Sequence, residues 1–262
     1  MKRYLKLYAL LLRLGLVSLL TYRVNFINNV LSSILFSSLT ILAMMLLTSR
    51  TSSVFGWTRY ELWLLTAVYN VVFGIVYILF ASNFDELVKI INKGELDSWL
   101  LKPIDTQFSI SVWKVAYANL FRCIIASCYI FFLLSLLYIA PTLITLLNFV
   151  ICILFSILLI YSASFLIMTL AIWFSTLTNL MELIYYMNGL TRYPREMYRG
   201  VGNLVFFILF PLTLVVVVPT RTLLGKASFM EYSLLFVCSI TLFFLSRKFW
   251  KFALRFYTSA SG

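Results

Sequence analysis

The sequence predicts an all-α integral membrane protein with six transmembrane helices, and three observations predict it. Hydrophobic residues fill 63% of the 262 positions and charged residues only 11%, against roughly 25% charged in a soluble domain. Apolar runs of about 20 residues, the length a helix needs to cross ~30 Å of hydrocarbon, recur along the chain. Lys and Arg gather in alternate connections, 16 against 4 when the N-terminus is placed inside, the bias of cytoplasmic loops. Both termini are therefore expected in the cytoplasm, and residues 1–262 read as a single domain.

The first 23 residues turn apolar after Lys2 and Arg3, but Arg13 interrupts them and no small-residue cleavage site follows, so they do not read as a signal peptide. At 100° per residue Lys2, Lys6 and Arg13 share one face, and Leu5, Leu12, Leu16 and Leu19 lie largely opposite. This predicts an interfacial amphipathic helix over 1–24, its cations near anionic lipid.

The first span is predicted over Phe26–Leu47 and the second over Leu62–Phe80. Asn25, Asn29, Ser33, Ser37 and Thr40 fall on one stripe of the first; Thr66, Asn70 and Tyr77 do so on the second. Such stripes serve helix–helix packing. The alternative is that Asn29, Ser33, Ser37, Asn70 and Tyr77 line a path or a subunit interface. The third span, Val115–Ile139, carries Arg122, expected near its cytoplasmic end, where it can snorkel or brace against Glu182. The fourth, Leu143–Phe174, exceeds one crossing and must tilt, break or project. The fifth, Leu204–Val218, is closed by Pro219 and has almost no polar residue besides Thr213. The sixth is Tyr232–Leu245. On this reading Arg192, Arg195 and Arg199 lie in an inside connection, and Glu61 is a surface residue at the outer edge.

Several functions are excluded or disfavoured. There is no G-x-x-x-x-G-K-S/T phosphate loop, so the chain does not hydrolyse ATP by itself. It has no histidine, which removes the commonest metal ligand and proton shuttle. Cys123, Cys128, Cys152 and Cys238 lie in apolar runs with no metal or disulfide spacing. The net charge of +12 is assigned to membrane orientation and not to nucleic acid.

The segment Phe84–Pro103 is too charged to span a bilayer. Phe84, Leu87 and Ile91 recur at helical spacing with Asp85, Glu86 and Lys89 between them. Gly94 breaks the helix, and a second turn with Glu95, Leu96, Asp97, Trp99 and Leu100 stops at Lys102-Pro103. The residues alone leave two readings open: a connector resting on lipid, or a docking segment.

Lys93-Gly94-Glu95-Leu96-Asp97-Ser98-Trp99-Leu100-Leu101-Lys102-Pro103 resembles the Gly-x-Leu/Ile-Asp/Glu-x-x-Leu-Leu-Lys/Arg-Pro signature of type-2 ATP-binding-cassette (ABC) transporter permeases, in the branch of about 260 residues with six spans. Tyr193 to Tyr198 is similar to that branch's Tyr/Phe-Pro-x-x-Ile/Met-Tyr motif. Phe210-Pro211 through Pro219 and then Leu223-Leu224-Gly225 is similar to its proline-bounded fifth span and the outer loop that follows. The resemblance implies the permease subunit of an exporter, two permeases, identical or homologous, working with two ATPases. ATP and Mg are then bound by the partner ATPase and no cofactor by this chain. It implies that 84–103 is the coupling helix. Gly94 is then the bend. Lys93, Glu95, Asp97, Lys102 and Pro103 belong to the docking segment, and Leu96, Trp99 and Leu100 are its anchors. The greasy fifth span favours an amphiphilic or lipid-like cargo. A secondary transporter would show inverted repeats and intramembrane charge; a membrane enzyme would need convergent polar groups; a non-transporting scaffold or immunity protein is the remaining alternative.

Overall fold

The computed structural model describes residues 2–174, 180–200 and 203–257. Helix α1 (Lys2–Thr21) is separated from α2 (Arg23–Leu47) by a bend at Tyr22. A short ribbon, β1 (Ser53–Val54) antiparallel to β2 (Trp57–Thr58), turns the chain back. Phe55 and Gly56 both take positive φ in that turn, as a type I′ two-residue hairpin requires. Helix α3 (Arg59–Val76) opens on a capping box in which the Thr58 N–H donates to Glu61 Oε2 at 2.9 Å. Glu61 is thereby buried, not the surface residue expected, because its other oxygen also takes the Lys226 ammonium.

Helix α3 is buried almost all round, the mark of a central helix. It loosens into a π turn, Tyr77–Ala81, before α4 (Ser82–Asn92). Two carbonyls at this turn have partners outside the helix ladder: the Ala116 N–H donates to Ile78 O at 2.9 Å, and Asn83 Nδ2 to Leu79 O at 2.7 Å. Then follow α5 (Leu96–Leu100), α6 (Thr106–Ser111), a 3-10 turn at Tyr117–Asn119 and α7 (Leu120–Leu136). Helix α8 (Leu143–Thr169), α9 (Leu180–Leu190), α10 (Asn203–Leu223) and α11 (Phe229–Ala253) complete the chain.

Among the described residues five helices are long and apolar enough to cross a bilayer: Arg23–Leu47, Arg59–Asn92, Tyr117–Leu136, Leu143–Ile172 and Phe229–Ala253. Pro211–Leu223 is a shorter apolar helix. Five of the six expected spans thus have helices of spanning length, and the expected fifth, Leu204–Val218, falls on a helix of which only the shorter apolar stretch Pro211–Leu223 stands out. Pro219 does not close that helix, which runs on to Leu223. A proline deprives the carbonyl four residues earlier of its helical donor; here that carbonyl is Val215 O, and Ser156 Oγ of α8 donates to it at 2.7 Å. The neighbouring helix thus supplies the bond that the proline removes.

The helices define two ends. Helix α1, the segment 82–116 and the C-terminal end of α11 share the near end: Tyr117 Oη donates to Leu12 O at 2.9 Å, and Arg247 pairs with Asp105. The α2–α3 and α10–α11 turns share the far end, tied by Lys226 and Glu61. Arg195 lies at this far end, paired with Glu231 at 3.1 Å, and not in a connection on the side of the termini as its charge suggested. Glu196, its neighbour, reaches Trp57 and Arg221 at the same end, and those contacts carry Arg195 across.

Candidate functional site

The near-end segment is a two-sided layer. Helix α4 turns Phe84, Leu87, Val88, Ile90 and Ile91 inward onto Phe165, Met168 and Ala171 at the foot of α8 and onto Trp250 of α11. The C-terminal end of the long fourth span forms that support. Gly94 takes φ +70, which a side chain would strain, and the chain turns there into α5. Leu96 is 0% exposed and Trp99 is buried. Both were expected as outward anchors; they are instead part of the chain's own core, because the Gly94 turn folds α5 back beneath α4. Trp99 stands edge-on to Trp113 at 5.0 Å, and the Lys102 ammonium sits 3.4 Å from the Trp99 ring centre. Burial there pushes the Lys102 ammonium below its usual range. What faces outward is Lys93, Glu95, Ser98, Leu100, Leu101 (85% exposed) and Pro103, with Asp97 half-buried.

Two clamps tie this layer to the spans. Asn83 donates to the Ser111 and Lys114 carbonyls at 2.9 and 2.8 Å and accepts from the Lys114 N–H at 2.7 Å. Asp105 caps α6 by accepting from the Phe108 N–H at 3.0 Å and also takes Arg247 of α11. Arg247 donates on to Gln107 Oε1 at 3.1 Å, and Gln107 Nε2 to Tyr161 Oη of α8 at 3.2 Å. The Arg247 hydrogen bond lowers the Asp105 carboxyl pKa from its ordinary value, against the opposing pull of burial. Asp105, Gln107 and Arg247 were not singled out in the sequence; an Asp-Thr-Gln triplet just after Pro103 is an N-cap signal, but its partner lies 142 residues away.

Above the layer, the polar stripes divide into two parts. The upper part is packing: Asn70 Nδ2 donates to Thr40 Oγ1 at 3.0 Å, and Ser37 is fully buried beside it on α2. The lower part opens onto a cavity of about 830 Å³ between α1, α2 and the start of α7, within the ordinary size of a ligand pocket. Asn25, Asn29, Ser33 and Tyr77 line it together with Asn119 and Arg122, Ser33 Oγ donating to Asn119 Oδ1 at 3.4 Å. Leu11, Leu14, Leu19 and Phe26 form its apolar wall. Of the expected path residues, Asn29, Ser33 and Tyr77 thus meet at one cavity; Ser37 and Asn70 stand behind it.

Arg122 does not snorkel and does not meet Glu182, which is exposed on α9. It is 3% exposed and donates from Nε to Asn70 Oδ1 at 2.9 Å. Its guanidinium carbon lies 4.7 Å from the Phe36 ring centre and 5.5 Å from those of Tyr69 and Tyr77. Arg192 shares two of these rings, at 5.9 Å from Phe36 and 5.3 Å from Tyr69. At the far end Glu196 Oε1 takes Arg221 at 2.9 Å and Arg195 at 3.2 Å, and Trp57 Nε1 donates to its Oε2 at 3.2 Å. Arg221 and Arg195 also meet Glu231. Burial raises the Glu196 pKa, but hydrogen bonds from its own backbone and Trp57, with the Arg221 charge and Arg195, hold it below its ordinary value.

A family profile described as ABC-2 family transporter protein matches residues 34–261. No curated protein and no solved structure matches the chain.

Proposed function

The chain belongs to the ABC-2 transporter family, a family of membrane permease components that are not themselves ATPases, and on that premise we propose that it is the permease half of an ATP-driven exporter. Two copies, or this chain and a homologous one, work with two ATPase subunits that bind ATP and Mg. The near end docks on the ATPases and lies in the cytoplasm, with both termini, in the inner (cell) membrane. The cargo is amphiphilic.

The observation that carries this reading is the two-sidedness of 82–103. Its inner face is fixed to α8 and α11, so a push on its outer face moves whole spans. Its outer face presents Lys93, Glu95 and Leu101, which no described residue covers. The test is gentle purification of the tagged protein from its native membrane, followed by intact-complex mass measurement. A mass of two permeases with two phosphate-loop ATPases supports the proposal. A permease reproducibly alone in several detergents overturns it.

A further inference from the structure

The nine Asp and Glu side chains of the sequence all lie in described segments, and none of them pairs with Arg122 or Arg192 among the described residues. Five of them, Glu61, Glu86, Asp105, Glu196 and Glu231, are held by other cations at the two ends. A buried guanidinium without a counter-ion is costly in a low-dielectric interior. Aromatic faces and the Asn70 amide offset part of that cost, and Tyr69 adds a further polar contact. They leave donors over. Arg122 Nη2 and Arg192 Nε are buried with no hydrogen-bond partner among the described residues. Gly189 makes room for Arg192: a Cβ added there would come within 3.3 Å of its Nη2. Arg122 itself lines the cavity, together with Asn119, Ser33 and the leucines of α1.

We propose that this cavity binds an anionic amphiphile, its phosphate-type head group on Arg122 with Arg192 behind and its hydrocarbon chain along Leu11, Leu14 and Leu19. A guanidinium offers phosphate a fork of parallel N–H donors, which an ammonium cannot. The apolar wall fits an alkyl chain, and the amides of Asn25, Asn29 and Asn119 fit the polar part next to the charge. The ligand is either a bilayer phospholipid or a transported amphiphile; the binding chemistry is the same. The inference deepens the transport reading and rests on it only for the second of these sources.

The test uses the purified permease alone, so its failure is separate from any failure to capture ATPases. The protein in neutral detergent is titrated with dodecyl phosphate, dodecanol and dodecyltrimethylammonium, with binding read by native mass spectrometry and by thermal shift. Dodecyl phosphate is expected to bind saturably and to raise Tm, and the other two are not. Arg122→Gln and Arg192→Gln should each weaken binding by about tenfold or more, Arg122→Lys less than Arg122→Gln, and Arg59→Gln at the far end not at all. If Arg122→Gln does not fold, Arg192→Gln and the wild-type titration still decide. Competition by phosphatidylglycerol assigns the site to the bilayer lipid, and its absence to a cargo; both support the site. No saturable binding by the wild type, or equal binding by wild type and both glutamine variants, overturns it.

Discussion

Asp105 and Arg247 join the near-end layer to the last span: Arg247 Nη1 donates to Asp105 Oδ1 at 2.6 Å, and its Nη2 to the second carboxylate oxygen. One residue caps the little helix α6; the other sits near the end of α11. Movement of the layer must therefore carry α11 with it, or break a two-pronged ion pair. Asp105→Asn keeps the shape of the cap and loses the charge. It should lower stability by about 1–2 kcal/mol, the cost of a charged hydrogen bond reduced by partial exposure. It should also lower transport-linked ATP turnover of the complex more than ATPase association. Thermal unfolding of the permease and turnover of the reconstituted complex check the two effects; unchanged turnover would show that the pair is only structural.

The same carboxylate sets a pH limit. Its pKa in the folded chain lies below the ordinary value, because Arg247 favours the charged form. A depressed acid binds fewer protons folded than unfolded, so its stabilisation is full above the unfolded pKa, about 3.9. It is lost as pH falls through the folded value. Tm should be flat with respect to this pair from neutral pH down to about 5 and fall below about 4, with the acid fall smaller in Asp105→Asn. An equal fall in both proteins would place the acid-labile group elsewhere.

On the docking layer the structure separates residues that the sequence groups together. Lys93→Glu combined with Glu95→Lys, and Leu101→Asp, change only the outward face and should abolish ATPase co-purification while Tm moves by less than about 2 °C. Leu96→Asp places a carboxylate where no side-chain surface is exposed and should destabilise by more than about 3 kcal/mol. It should fail as a folding variant before it fails as a docking variant. A well-folded Leu96→Asp that loses only the ATPase would restore Leu96 as an outward anchor.

The far end makes a further prediction. Glu196 is shared by Arg195, Arg221 and Trp57, and removing its charge leaves two guanidiniums on Glu231. Glu196→Gln should lower stability by about 1–3 kcal/mol and speed hydrogen exchange in 195–200 and 221–231. Exchange that quickens at the near end instead would contradict the placement of these groups.

Much of the fold is legible in the sequence because bilayer crossing is a composition problem. The apolar runs that become α2, α3, α8 and α11 need no tertiary knowledge. The break at Gly94 is legible for the same local reason, since its neighbours carry a helical period and it does not. What is not legible depends on partners far along the chain. Leu96 and Trp99 have the pattern of an exposed amphipathic turn, and only the foot of α8 below α4 decides which way they face. Arg195 counts as a positive charge, and charge counting places it with the termini; Glu231, 36 residues on, and the contacts of its neighbour Glu196 with Trp57 and Arg221 hold it at the other end. Arg122 in an apolar run signals function by its type alone, yet its burial follows from Asn70 and from the closeness of α3 to α7.

That closeness is set by Gly74. A methyl group built on it would collide with Cys123 Sγ on α7 and come within 3.6 Å of the Cys123 amide and 3.8 Å of Arg122 Cδ. Small residues at such contacts let membrane helices approach and gain van der Waals packing. Gly74→Ala must then push α7 away or turn Cys123 aside, at a cost of about 1–3 kcal/mol. It also shifts the stem of Arg122 next to its Asn70 bond. Cys123→Ala removes the colliding sulfur, so Gly74→Ala with Cys123→Ala should recover most of the Tm lost by Gly74→Ala, by at least about 1 kcal/mol of coupling between two touching sites. The same pair of variants separates packing from charge: dodecyl phosphate binding should weaken in Gly74→Ala and return in the double variant, because the position of Arg122 is restored with the helix spacing. A Gly74→Ala protein with wild-type Tm would show that Cys123 turns aside without cost and that Gly74 does not set the spacing of α3 and α7.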